Sequence, residues 1–296
     1  MDVERERTFS PGGGPATIKD SERAITSFSD LLESRGYRAT FFVVPDAARD
    51  LATVLTDLAH RGHEIGLHFH ANSWNGNYTL DRVLPIGAQP AGVQREWLSA
   101  AKKLFVDALG FPPRCFRGGY FSANPSLYEA LMDLEINCGS TTLPGRHSKR
   151  LHTFWKHAPP AAHRIERAGP KTDGKNQFIE VPVTSKQNWL GFLAKDGDVR
   201  LERLTSIDQL FDAATYSLAR QRKMDAPVKH LCFLTHNTYD YGDGNSPMKC
   251  KRLILETLLD RLPEMADRIG FTPCPGTVPG IANALEKCNN IKSACE

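Results

Sequence analysis

Hydrophobic residues along this chain switch repeatedly between helical and strand spacing, and that alternation limits the possible folds more than any other feature. Ile25, Phe28, Leu31 and Leu32 recur at helical spacing, which predicts a helix over 18–34 with Gly36 placed to stop it. Residues 38–44 read as a buried strand, 47–61 as a second helix ending at Gly62, and 63–70 as a strand with a polar C-terminal end. The pattern continues with a helix over 94–109, a short strand over 115–117, a helix over 126–134 and a short strand over 136–140. Later come a strand over 178–183, a helix over 206–222, a buried strand over 230–235 ending in His236, and a helix over 249–266. A strand-like stretch at 270–272 and a helix near 280–285 finish the chain. Helices alternating with strands predict an α/β architecture on a parallel sheet. The stretch 144–176, rich in His, Arg, Lys, Pro and Gly, reads as a long excursion over the surface. No repeat or linker divides the chain, so 1–296 is read as a single domain.

Composition narrows the function. With 41% hydrophobic and 24% charged residues the chain can build a core and is not disordered throughout. A net charge of +3 implies neither nucleic acid nor an anionic membrane as partner. There is no apolar run of the roughly 18 residues that a membrane helix needs. The polar N-terminus lacks the apolar region of a secretory signal, so the expected location is cytoplasmic. The seven cysteines are odd in number and form no CxxC pair, as expected for isolated thiols in a reducing compartment, with a Cys288–Cys295 bond left open.

Active sites of parallel α/β folds gather at the C-terminal ends of the strands, and there the polar residues collect. His68 and His70 end the 63–70 strand, Arg117 ends the next, and His236 ends a late one. In an ideal strand His68 and His70 face the same way. Asp2 and Glu4 would end a first strand if residues before Met1 supplied it. Carboxylates with imidazoles can hold Zn²⁺ or a similar ion and leave a position open for water. A carboxylate can take that water's proton while a His protonates a departing amine. Each residue has a plainer explanation too: a satisfied surface His, a capping or salt-bridging Arg, a frayed terminus.

Together the motifs resemble the NodB-like polysaccharide deacetylases of the carbohydrate esterase family 4 type. Gly36 to Val44 is similar to the family's "G-x-x-A-T-F-F-V" strand, and Gly62 to His68 to its "G-H-E-I-G-x-H" metal motif. Phe116 to Tyr120 resembles "F-R-x-P-Y/F", Ile179 to Pro182 the late "E-V-P" strand, and Phe233 to His236 the "L-H" motif of the catalytic histidine. The resemblance spans roughly residues 18–275 and implies a distorted (β/α) barrel of about seven strands. It departs at the first motif, usually "T-F-D-D-G", where this chain has Asp2-Val3-Glu4, like a "D-x-E" variant. The strand before Asp2 is missing, so the natural chain is expected to begin upstream. It departs again at Asn72, where the family's second histidine is usual; either His70 or Asn72 serves, and "G-L-H-x-H" favours His70. Gly119 replaces a usual Pro, and Asn237 follows His236 where Asp is usual.

By position the resemblance implies Asp2 as general base, His236 as general acid and Arg117 tuning the base. It implies a divalent ion, in the first instance Zn²⁺, on Glu4, His68 and His70. Tyr120 sits where a backbone N–H holds the oxyanion, and Trp74 and Asn75 are candidates to line a substrate groove, Trp74 by stacking on a sugar or merely by packing. The implied activity is removal of an N-acyl group, acetyl foremost, from an amino sugar or glycan. Two alternatives remain: an allantoinase- or imidase-like hydrolase of a small non-sugar amide, and a non-catalytic binding protein with a degenerate site.

Overall fold

The computed structural model describes residues 1–10, 13–74, 83–167, 177–186, 200–203 and 207–293. Its strands are β1 Asp2–Val3, β2 Thr40–Val43, β3 Glu64–Phe69, β4 Cys115–Gly118, β5 Cys138–Gly139, β6 His147–Ser148, β7 Thr153–Phe154, β8 His163–Glu166 and β9 Gln177–Glu180. The helices are α1 Ile18–Glu33, α2 Pro45–Asp50, α3 Ala52–His60, the single turn α4 Ala71–Trp74, α5 Ala91–Leu109, α6 Pro125–Asp133, α7 Ile207–Lys223, α8 Arg252–Arg268 and α9 Val278–Ser293. A seven-stranded sheet runs in the order β1-β2-β3-β4-β5-β9-β8, parallel from β1 to β9, with β8 antiparallel at the edge. This is the α/β class that the alternating pattern predicts.

Local chemistry explains the elements. Thr17 caps α1 by accepting the Asp20 N–H, and Ile25, Phe28, Leu31 and Leu32 form its buried face. Gly36 takes φ +77°, a left-handed conformation that costs glycine little, and ends the segment. The helix expected over 47–61 is two helices, because Leu51 leaves helical geometry at φ −118°, ψ 17°. Every residue of β3 is buried, as in a parallel strand covered on both faces. Phe41, Leu55, Leu67, Phe69, Phe105 and Phe116 fill the core around it; full burial of one such side chain contributes about 1.5–3 kcal/mol.

Four expectations are corrected. Asp2 and Val3, expected only to follow a first strand, themselves form one, pairing with Phe42 and Val43, and both are buried. The strand expected over 230–235 forms no ladder. It runs between two edges, with Thr184 N–H donating to Cys232 O (3.0 Å), Leu201 N–H to Leu234 O (2.9 Å) and Asp2 N–H to Thr235 O (2.7 Å). Residues 270–272 are irregular. The stretch after 144 is not only a surface excursion, since β6 and β7 pair as a hairpin and β8 extends the sheet. Among the described residues no helix is long and apolar enough to cross a membrane.

Candidate metal and acid–base site

Parallel strands β1 to β5 bring their C-terminal ends to one edge, and three side chains converge there. The Glu4, His68 and His70 ligand atoms all lie within 4.8 Å of one another, and all three residues are buried. Glu4 Oε1 is 3.3 Å from His68 Nε2 and 3.0 Å from His70 Nε2. His68 Nδ1–H donates to the Arg117 carbonyl at 2.8 Å, which turns the Nε2 lone pair toward Glu4. Glu4 is held from both sides: its backbone N–H donates to Asn237 Oδ1 (2.9 Å), Asn237 Nδ2 donates to its carbonyl (2.8 Å), and Ser10 Oγ donates to Oε2 (3.1 Å). His70 Nδ1 is buried with no hydrogen-bond partner. Its ring is located by the Nε2 contact with Glu4 and by packing, edge-on to His68 at 4.8 Å and to Tyr120 at 4.7 Å.

One carboxylate oxygen and two imidazole nitrogens suit a divalent ion such as Zn²⁺, so the residues fit the group that the sequence pattern implies. Without an ion, burial pushes the Glu4 carboxyl up, but His70 and His68 outweigh it and hold the pKa well below the usual value. Burial pushes His68 down, while Asp2 and Glu4 raise it on balance.

Beside this cluster lies a second group of charged and titratable side chains, Asp2, Arg117, His236 and Glu202. Arg117 is 2% exposed, and its Nη1 donates to Asp2 Oδ1 at 2.6 Å. Nε donates to Ser140 O (2.8 Å), Nη2 to Ser140 Oγ (2.9 Å), and the guanidinium lies 4.3 Å from the centre of the Phe42 ring. Burial would raise the Asp2 pKa, but the Arg117, His68 and His236 charges bring it to about 2, so Asp2 is ionised at neutral pH. On its far side, Asp2 Oδ2 lies 4.0 Å from His236 Nε2. His236 Nδ1–H donates to Glu202 Oε1 at 2.6 Å, leaving Nε2 on the Asp2 side. Burial pushes Glu202 up, yet its hydrogen bond with His236 leaves it lowered and charged.

The remaining sequence candidates separate. Tyr120 has φ +58° in a tight turn after β4, is half-buried, and sets its ring edge-on to His70. Asn72 is not in the cluster; its Nδ2 donates to Tyr120 OH at 3.4 Å. Trp74 lines a small cavity with Glu4 and His70, and its ring packs on Phe69 at 5.4 Å. Asn75 lies outside the described residues. Sequence reasoning missed Glu202, Ser140 and Asn237. Asn237 was at least visible as the unusual neighbour of His236. Glu202, between Leu201 and Arg203, looks like any solvated charge, and no local signal marks it.

The family model for polysaccharide deacetylase matches residues 14–139, which include His68, His70 and Arg117 and leave Asp2, Glu4, Glu202 and His236 outside. No curated protein matches the chain in sequence. Among solved structures it is similar to a candidate polysaccharide deacetylase from Mycobacterium smegmatis, at 14% identity and TM-score 0.56, covering 92% of this chain and 79% of that one. It is similar to a probable polysaccharide deacetylase from Pseudomonas aeruginosa PAO1 at 15% identity and TM-score 0.57, covering 96% and 83%. Puue allantoinase shares 14% identity with TM-score 0.57, covering 95% and 82%. At such identities the likeness is one of fold.

Proposed function

From the match of residues 14–139 to the polysaccharide deacetylase family model, we propose that this chain, as one domain over 1–296, is a metal-dependent hydrolase releasing an N-acyl group, acetyl foremost, from an amino sugar or glycan. The observation that carries this reading is the meeting at one sheet edge of the Glu4–His68–His70 donor set with an ionised Asp2 and a carboxylate-backed His236. A divalent ion on Glu4, His68 and His70, Zn²⁺ in the first instance, would supply Lewis acidity toward an acyl carbonyl oxygen. Asp2 accepts the proton of the attacking water, and Arg117 is the positioning residue that keeps it charged. His236, oriented by Glu202, carries a proton on Nε2 to the departing nitrogen, which an amide requires because an unprotonated amine leaves poorly. The Tyr120 backbone N–H is the oxyanion donor in this scheme, and Trp74, which lines the cavity with Glu4 and His70, flanks the substrate.

The test is acetate release from N-acetylglucosamine oligomers beside a panel of small cyclic amides, with elemental analysis of the purified protein. About one divalent ion per chain and release from the oligomers support the reading. His68→Ala should lose most of that ion, and undiminished metal in the variant would put the ligands elsewhere. Turnover of cyclic amides alone would favour the small-amide alternative, to which the Puue allantoinase likeness lends its fold. A purified protein that holds no divalent ion would favour the binding-protein alternative, and an ion-loaded protein inactive on every probe would overturn the glycan reading without naming another substrate.

A further inference from the structure

A one-sided charge distribution follows β5, and the acid–base chemistry makes no use of it. From Ile136 to Ile165 the sequence has no Asp or Glu, yet it has Arg146, Lys149, Arg150, Lys156 and Arg164. Glu135 and Glu166 bound this stretch, and further upstream Glu129 and Asp133 are engaged with Arg95 and Arg167. Lys149, Arg150 and Lys156 are exposed on and beside the β6–β7 hairpin. The same hairpin presents Phe154, 48% exposed, with His147 and His152 edge-on to it at 5.3 and 4.8 Å.

The hairpin is docked on the wall of the candidate site. Trp155 Nε1–H donates to Phe121 O at 2.7 Å, and Ser122 Oγ donates to His152 O at 3.3 Å. The Arg146 guanidinium lies 5.6 Å from the centre of the Phe121 ring. Phe121 and Ser122 continue the turn from Tyr120, whose ring meets His70.

Exposed cations add little to stability. Clustered with one sign beside a cleft, they set up a potential that concentrates and orients an anion. An exposed aromatic face next to them offers apolar area to the face of a sugar ring. We propose that the β6–β7 hairpin selects an acidic substrate, an N-acyl glycan bearing carboxylate or phosphate groups, with the sugar on Phe154 and its charges on Lys149, Arg150 and Lys156. This specificity rests on the hydrolase reading above, but binding measures it without turnover.

The experiment is calorimetric titration of the full chain at low salt with three probes: an N-acetylglucosamine tetramer, a tetramer alternating N-acetylglucosamine with glucuronate, and N-acetylglucosamine 6-phosphate. The acidic tetramer should bind about tenfold tighter than the neutral one. In the Lys149→Gln/Arg150→Gln/Lys156→Gln variant, with its unfolding temperature checked against wild type, that ratio should fall to near one. Lys103→Gln, which removes a charge on α5, should keep the ratio. Tighter binding of the sugar phosphate than of the carboxylated tetramer identifies phosphate as the anion, and the reverse identifies carboxylate. Equal affinities in wild type, a ratio that survives the triple substitution, or tighter binding of a single-stranded DNA oligomer at the same residues would each overturn the proposal. Selective binding without acetate release removes the hydrolysis and keeps the hairpin's role; release without selectivity does the opposite.

Discussion

His236 and Glu202 show what one hydrogen bond can decide. With Nδ1–H committed to Glu202 at 2.6 Å, the other ring nitrogen stands toward Asp2, and Glu202 stabilises the ring when it is protonated. A general acid contributes about 10²–10⁴ in rate. His236→Ala is therefore expected to lose activity of that order while elemental analysis finds its metal retained; loss of the metal would make His236 a ligand instead. Glu202→Gln keeps a hydrogen-bond acceptor without the charge, so a smaller fall in kcat with little change in KM is expected. Equal kcat in Glu202→Gln and wild type would remove Glu202 from the proton path.

At the scale of the element, the turn after β4 holds the site together. Tyr120 and Phe121 both have positive φ, +58° and +61°, a conformation that costs a non-glycine residue of order 1 kcal/mol or more. Neighbouring elements secure it: Gly118 N–H donates to Thr141 Oγ1 at 2.9 Å, and Ser122 N–H to Gly119 O at 3.1 Å. Thr141 and Thr142 are held in turn by the fully buried Glu180, whose Oε1 accepts both their N–H groups. Gly119 matters for space, since a Cβ there would overlap the His70 ring. Gly119→Ala should displace His70 and weaken metal retention in dialysis against a chelator, while circular dichroism shows a folded chain. Metal retention equal to wild type would mean that the turn yields and His70 is not held by it.

At the scale of the whole molecule, His230 ties stability to pH. It anchors the segment running from the end of β9 to β1: Nε2–H donates to Pro182 O at 3.0 Å, and Nδ1 is buried without a partner. Burial pushes its pKa down to about 4 from an ordinary 6.5. As pH falls, the unfolded chain therefore takes up this proton first, and stability declines from about pH 6.5 to about pH 4. Between pH 8 and pH 5 the loss from this one residue is about 2 kcal/mol. Urea unfolding at both pH values should show the stability advantage of wild type over His230→Gln shrinking by about that amount at pH 5. An advantage that does not change with pH would mean that His230 is not held neutral.

The sequence alone determined what depends on the chain's own repeat. Helical spacing in α1, the glycine at 36 and the buried run of β2 are local, so the parallel α/β class was legible before any contact was known. The period of a strand, two residues, likewise set His68 and His70 on one face. Tertiary structure alone decided which groups those histidines meet. Glu4 reaches them because β1 pairs in register with β2, and Glu202 reaches His236 across a wide gap in sequence. It also decided that 230–237 bridges two edges without a ladder, and that β8 extends the sheet beyond β9. Periodicity records how a segment's side chains are distributed around its own axis. It holds no record of which distant backbone offers the next hydrogen bond, and that choice belongs to the packing of the whole chain.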